Sequence, residues 1–303
     1  MTARIEAATT RIADAVERVP KVGEVGTRAS RALHRAVLGG GETARDTVDV
    51  LHGTWLGHPL HPVLTDFAIG AWFFGGFFDA MGAIRHSRSA RQMGDTLAAA
   101  GTAVALPTAV TGLADFTTLP RPAAKPGSLH AMLNVASVGL YAASLVQRRR
   151  GRQSQGLALS FAAQGLLLAS AWLGGMLVYD DLVGVDHSER FTGPREWTPV
   201  LDETELPERT PKRVELEGKG VLLYRADGRI YAIGSVCSHF GGPLEKGHFQ
   251  DTCVQCPWHD SVFDLRNGRV VHGPATRPQV SFLTRIHDGR VELRLGSALN
   301  ESG

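Results

Sequence analysis

The 303-residue sequence predicts a multidomain chain, an α-helical four-helix transmembrane bundle followed by an all-β domain. Three observations predict it: four long, weakly charged runs between residues 60 and 180, short alternating runs with turn signals after residue 196, and a mixed set of cysteines and histidines among those short runs. The first pattern suits bilayer-spanning helices and the second suits half-buried strands. The expected boundaries are a polar amphipathic or partly disordered extension over 1–51, the helical domain over 52–182, a linker over 183–195 and the β domain over 196–298.

The extension is rich in Arg and Ala and carries helical periodicity in Ile5, Ile12, Val16 and Val19. It has no apolar stretch of the kind a secretory signal needs, so none is expected. A solvated helix accounts for its charges.

Residues 96–114, 126–147 and 153–179 contain no Asp, Glu, Lys or Arg, and each is long enough to cross a bilayer as a helix. The first run, 62–84, is interrupted by Asp66 and Asp79, with Trp72, Phe73, Phe74, Phe77 and Phe78 between them. Gly70, Gly75, Gly76, Gly174 and Gly175 suit close helix packing in lipid, and Pro107 is tolerable there. A soluble bundle of buried Ala- and Gly-rich helices is the competing reading. Four such runs joined by basic connectors favour a multi-pass protein of the cell membrane in contact with the lipid bilayer.

The side of the membrane is left open by the charges. Arg85, Arg88 and Arg91 with Arg148, Arg149, Arg150 and Arg152 outweigh Arg121 and Lys125, which would put those connectors in the cytoplasm and the β domain outside. Against this, the arginine-bearing N-terminal tail would have to be translocated, and the β domain lacks a disulfide suited to an oxidising compartment. A net charge of +2 gives no support for nucleic-acid binding.

The β domain reads as short strands. Residues 220–225, 229–233 and 290–295 alternate, and Asp227-Gly228 and Asp288-Gly289 between runs are hairpin signals. Among them stand Cys237-Ser-His239 and Cys256-Pro-Trp-His259. Two irons bridged by sulfide need four terminal ligands, and one arrangement gives one iron two thiolates and the other two imidazoles. Each half of the motif supplies one of each. Zinc is the competitor, but zinc sites usually group their ligands as a cysteine pair followed by a histidine pair.

With their flanks, Cys237-Ser-His239-Phe-Gly-Gly-Pro-Leu, Cys256-Pro-Trp-His259-Asp-Ser-Val-Phe-Asp-Leu-Arg-Asn-Gly and Gly273-Pro-Ala, these motifs resemble the Rieske ferredoxin family over residues 196–298. The resemblance implies a [2Fe-2S] cluster with Cys237 and Cys256 on one iron and His239 and His259 on the other. It further implies a hydrogen bond from Ser261 to a sulfide, while Phe263 stands where high-potential members have a tyrosine. An intermediate to low potential is the expectation. Rieske proteins of cytochrome bc complexes add a disulfide between the cluster loops. Here Cys253 is the one further cysteine and reads as a small buried strand residue.

Leu56-Gly-His-Pro-Leu-His-Pro-Val-Leu, Gly112-Leu-Ala-Asp115 and Leu129-His-Ala-Met-Leu-Asn resemble an uncharacterised four-helix membrane domain family over residues 52–182, one found fused to redox modules. In an antiparallel bundle His58, His61, Asp66, Asp115, His130, Asp180 and Asp181 gather at one membrane face. Such a face suits a quinol, a haem b through His61 and His130, or a metal, and it equally suits plain capping of helix ends.

The function expected is one-electron transfer between a membrane-face donor, quinol or haem, and a redox protein partner, with electron transfer favoured over a self-contained enzyme. His239 and His259 would form the exposed transfer edge. A component of a Rieske-type oxygenase system is the alternative, although His272 and His287 lack the pattern of a mononuclear iron site. A redox sensor acting through the bundle is the third reading.

Overall fold

The computed structural model describes residues 19–296. Ile5, Ile12 and Val16, and the last two residues of the expected β domain, lie outside the described residues. The helices are α1 (Val22–Gly39), α2 (Gly41–His52), α3 (Leu60–Ile84), α4 (Arg88–Phe116), α5 (Ala124–Arg149) and α6 (Gln153–Tyr179). The chain forms two compact units: Leu60–Val183 with the residues up to Gly40, and the residues from Gly184 on with Gly41–Pro59.

In the helical unit α3 packs on α4 and α5 on α6, with α4 against α5 and α3 against α6, so α3 and α5 are diagonal partners. Ser87 caps α4 by accepting the Ala90 N–H at 3.3 Å. Trp72 of α3 stacks on Tyr141 of α5 with ring centres 4.4 Å apart, and a Cβ on Gly101 would lie 2.6 Å from the indole. That glycine is what lets the indole lie against α4.

The unit is apolar outside, and inside it sets a row of polar side chains beside an apolar core of Ala68, Trp72, Ala98, Ala105, Ala163 and Leu167. Val135 is 70 % exposed, Phe67 66 % and Leu168 65 %, whereas Ser137, Ser144, Ser160, Ser170, Asp79 and Arg148 are buried. On α5, His130, Asn134, Ser137, Tyr141, Ser144 and Arg148 recur every three or four residues and form one stripe. The stripe finds its partners across the bundle: Tyr141 Oη donates to Gln164 at 3.0 Å, and Ser144 Oγ to the Gly156 carbonyl at 2.7 Å. Water rewards the opposite distribution, and lipid rewards this one. Among the described residues, four helices, α3 to α6, are long and apolar enough to cross a membrane.

Near the end of the bundle where α3 and α5 finish, Arg148 donates to both carboxylate oxygens of Asp79 at 2.8 and 2.6 Å, to Asp95 at 2.7 Å and to Ser160 at 2.7 Å. A Cβ on Gly156 would lie 2.5 Å from the arginine Cγ, and one on Gly94 would overlap Asp79. Arg148 is thus a buried partner within α5 rather than one more basic connector residue. Its charge does not belong in a connector count.

The second unit carries a six-stranded antiparallel sheet in the order β1-β10-β9-β4-β3-β2 and a four-stranded one in the order β5-β6-β7-β8. The strands are β1 (Thr198–Asp202), β2 (Lys212–Leu216), β3 (Lys219–Ala226), β4 (Arg229–Gly234), β5 (His248–Gln250), β6 (Cys253–Gln255), β7 (Val262–Asp264), β8 (Val270–His272), β9 (Ser281–His287) and β10 (Arg290–Leu295). Asp227-Gly228 and Asp288-Gly289 turn the β3–β4 and β9–β10 hairpins with positive φ at all four residues, the conformation that matches strand twist.

Strand β3 is covered on both faces. Val221 and Leu223 join one core with Val291 and Leu293, and Leu222 and Tyr224 join another with Ile233, Val254, Phe263 and Leu265. The second core also holds Cys237 and Cys256. Helix α2 docks on this unit at β8: Asp49 accepts the Gly273 N–H at 2.7 Å through one oxygen and the His272 Nδ1–H at 2.7 Å through the other.

Candidate metal centre

Two loops present the four cysteine and histidine side chains. The first follows β4: Cys237 donates its N–H to the Gly242 carbonyl at 2.9 Å, and Gly241, at φ 74°, returns its N–H to the Cys237 carbonyl at 2.9 Å. The second joins β6 to β7. There Cys256 N–H bonds the Ser261 carbonyl at 2.8 Å, and Asp260 N–H bonds the Cys256 carbonyl at 3.2 Å. Each cysteine therefore sits at the closed base of its loop, with its histidine further toward the tip.

Cys237 and Cys256 are 1 % and 2 % exposed, while His239 and His259 are half-buried. The loops touch because Gly242 has no side chain: a Cβ there would lie 2.7 Å from Cys256 Sγ. The two thiols are hydrogen-bonded to each other. That bond, then burial, push the Cys237 thiol far up, and the same bond pulls Cys256 down to about 7. The shared hydrogen bond sets the two sulfurs side by side and eases loss of the first proton from the pair.

The His239 and His259 ring centres lie 5.0 Å apart with planes at 87°. An imidazole nitrogen bonds a first-row metal at ~2.0–2.1 Å, which puts the ring centre ~3.2 Å from the metal. Two rings on one tetrahedral metal are then ~5.2 Å apart. Two adjacent thiols and two rings at the spacing of a shared metal fit a cluster with mixed thiolate and imidazole ends.

Ser261 is fully buried, and its Oγ accepts the Ala275 N–H at 3.0 Å. Its own hydrogen stays available to donate. Phe263 lies in the adjacent core without a hydroxyl. Ser238 Oγ donates to the Arg277 carbonyl at 2.6 Å, and Ser238 also accepts the His187 N–H at 3.0 Å, so residues just before β1 brace the first loop. Trp258 is 54 % exposed on the second loop. Cys253 lies in β6, half-buried, with burial holding its thiol up.

Of the residues read as a membrane face, His61 and His130 meet in the helical unit, with ring centres 6.4 Å apart. Asp66 is exposed on α3 and Asp115 is half-buried near the end of α4. Asp181 follows α6, its carboxyl held up by burial first and then by Asp180. His58 is exposed and belongs to the segment grouped with the β unit, its Nδ1 2.9 Å from the Pro59 carbonyl. Sequence reasoning missed two features. The Arg148 partnership with Asp79 and Asp95 had a signal in Asp79, set among the apolar residues of its run, while the docking of α2 on β8 had none.

Residues 196–286 match the family described as Rieske [2Fe-2S] domain, and residues 57–187 the one described as predicted membrane protein (DUF2231). The anthranilate 1,2-dioxygenase ferredoxin subunit of Burkholderia cepacia is 33 % identical over 101 residues, which are 33 % of this chain and 94 % of that protein. The ferredoxin component of the naphthalene 1,2-dioxygenase system of Pseudomonas aeruginosa is 30 % identical over 99 residues, 33 % of this chain and 95 % of that protein. Among solved structures, the ferredoxin of carbazole 1,9a-dioxygenase from Nocardioides aromaticivorans IC177 is 24 % identical, with 33 % of this chain and 98 % of that chain covered and a TM-score of 0.32.

Proposed function

Because the chain belongs, through residues 196–286, to the Rieske [2Fe-2S] ferredoxin family, we propose that it is a membrane-anchored one-electron carrier between a donor at the membrane face and a redox protein. The observation that carries this reading is the convergence of two buried thiols and two half-exposed imidazoles on adjoining loops, in a chain that also holds four helices able to span a bilayer. Cys237 and Cys256 are assigned to one iron and His239 and His259 to the other. Residues 52–182 serve as the membrane domain, 183–195 as linker and 196–298 as the electron-transfer domain. Helix α2 of the 1–51 extension assists the last of these.

The [2Fe-2S] cluster supplies reversible storage of one electron. The chain's own residues do the rest. Gly242 allows the loops to close over the sulfur side, and Ser261, fixed by the Ala275 N–H, aims a donor at it, which raises the potential. His239 and His259 form the half-exposed edge at which a partner docks, with Trp258 beside them as an apolar contact. A quinol is the donor class that a bilayer offers.

A second reading is supported by the two relatives, both of which are ferredoxin parts of dioxygenase systems and are matched nearly end to end. Here the acceptor would be an oxygenase component. Chain purified in detergent should give the low-average-g EPR signal of mixed cysteine and histidine ligation, and His239→Cys or His259→Ala should abolish it. Only the one-electron-reduced cluster gives that signal, so its appearance on addition of a quinol to the oxidised protein supports the bilayer donor. A zinc-filled protein without labile sulfide after anaerobic isolation from the native host would sink both readings.

A further inference from the structure

The helical unit holds a second pair of imidazoles, His61 from α3 and His130 from α5, the two diagonal helices. Their ring centres are 6.4 Å apart and their planes meet at 88°. His61 Nδ1 lies 2.9 Å from the Thr108 carbonyl, and His130 Nδ1 lies 2.8 Å from the Ser170 carbonyl. A carbonyl oxygen only accepts, so each Nδ1 carries the hydrogen and each Nε2 keeps its lone pair. That is the arrangement of a metal-binding histidine, whose second nitrogen donates to a carbonyl that fixes tautomer and ring orientation.

We propose that His61 and His130 are the two axial ligands of a b-type haem inside the helical bundle. With the ring centre ~3.2 Å from a bound metal, two imidazoles on opposite sides of one iron stand about 6.4 Å apart. The observed 6.4 Å is that spacing. Among the described residues, the group of three Asp, Glu or His ligand atoms drawn together within 4.8 Å is Glu42, Asp46 and His272 in the other unit, and no such group includes His61 or His130. No third such ligand joins His61 and His130, so a bare ion would be two ligands short of a tetrahedral set. A haem iron takes its four equatorial nitrogens from the porphyrin and asks the protein only for axial ligands.

The flanking helices place glycines against both rings. A Cβ on Gly112 of α4 would lie 2.7 Å from His61 Cε1, and one on Gly174 of α6 would lie 3.2 Å from His130 Cε1. Each ring thus meets a glycine on the flanking helix, and Ser170 of α6 adds a hydroxyl 3.0 Å from His130 Nδ1, on the side away from the nitrogen that would face a metal. Asn134 Nδ2 donates to His130 Nε2 at 3.0 Å, which marks that nitrogen as an acceptor. Iron would take the place of the amide.

The test uses the full chain, produced in a host supplied with a haem precursor and purified in detergent, with haemin titration of any haem-poor sample. A Soret band with low-spin bands on reduction is expected, one haem per chain. His61→Ala and His130→Ala should each lower haem content by about 10-fold or more, and added imidazole should restore the band. The Rieske-type EPR signal should persist in both variants, which shows that they fold, and His58→Ala should leave the Soret band unchanged. Wild-type protein with the EPR signal but no Soret band and no haemin uptake overturns the haem site and leaves the electron-carrier reading standing. A divalent metal bound stoichiometrically at the pair overturns it as well, as does a Soret band lost on His58→Ala but kept on His61→Ala.

Discussion

His239 and His259 stand on loops with ring centres 5.0 Å apart, and His61 and His130 stand on diagonal helices with ring centres 6.4 Å apart. Loops can bend two rings toward the same side of a metal, next to two thiols. Helices that face each other hold two rings in opposition. The surroundings differ in the same sense. The loops rest on an apolar core that includes Phe263 and Leu265, while the interior of the helical bundle mixes small and aromatic apolar side chains such as Ala68, Trp72 and Ala163 with hydrogen-bonded Ser137, Tyr141 and Gln164. Chain geometry and solvent together decide which chemistry a histidine pair serves.

The largest break in this contrast is expected at the polar interior. Arg148→Met leaves the 1 % exposed Asp79 carboxylate without its cation, a change that costs ~3–5 kcal/mol. Thermal unfolding in detergent should show a large downward shift. The double variant Arg148→Met with Asp79→Leu should recover most of it, because an apolar pair of similar volume removes the stranded charge. No recovery would mean that the ion pair is needed for more than neutrality.

At the loops the expected change is smaller. Gly242→Ala puts a methyl 2.7 Å from Cys256 Sγ, and overpacking of that order costs ~1–3 kcal/mol. Iron and labile sulfide per chain should fall several-fold, while haem content stays at its wild-type level. Equal loss of both would erase the independence of the two sites.

The smallest effect is electrostatic. Burial alone would raise the Asp264 carboxyl, but the side-chain and backbone hydrogen bonds from Arg266 outweigh it and hold the group below the usual carboxylate range. A depressed folded-state pKa gives stability that is present above the ordinary carboxylate value and lost as pH falls through the folded value. Wild type should therefore melt a few degrees above Asp264→Asn at neutral pH, and the gap should close in acid. A gap that widens in acid would reverse the sign.

How much was legible follows from the range over which each feature is encoded. The convergence of Cys237, His239, Cys256 and His259 on two adjoining loops was readable because residue type and spacing are local, and Asp227-Gly228 because its backbone demand is local. The limits of α6, Gln153–Tyr179, were readable because its apolar run stops at charged neighbours. The meeting of His61 and His130 followed from antiparallel connectivity. Arg148 and Asp79, 69 residues apart, carry no shared motif, so the arginine looked like a connector residue. Asp66, read as part of the polar membrane face, occupies an exposed position on α3. Asp49 and His272 are 223 residues apart, and nothing near either one announces the other.

That last contact constrains the topology. Helix α2 precedes the four candidate spans and β8 follows them, and Asp49 can reach His272 and Gly273 only if both lie on one side of the bilayer. With the candidate spans in a bilayer, this single carboxylate requires an even number of crossings. Insertion of three or five spans would strand Asp49 across the membrane from its partners. The contact also has to wait until β8 has been made, so a chain that inserts wrongly loses it, and accessibility of a cysteine placed at Asp46 and another at Asn267 to an impermeant reagent would count the crossings by whether they agree.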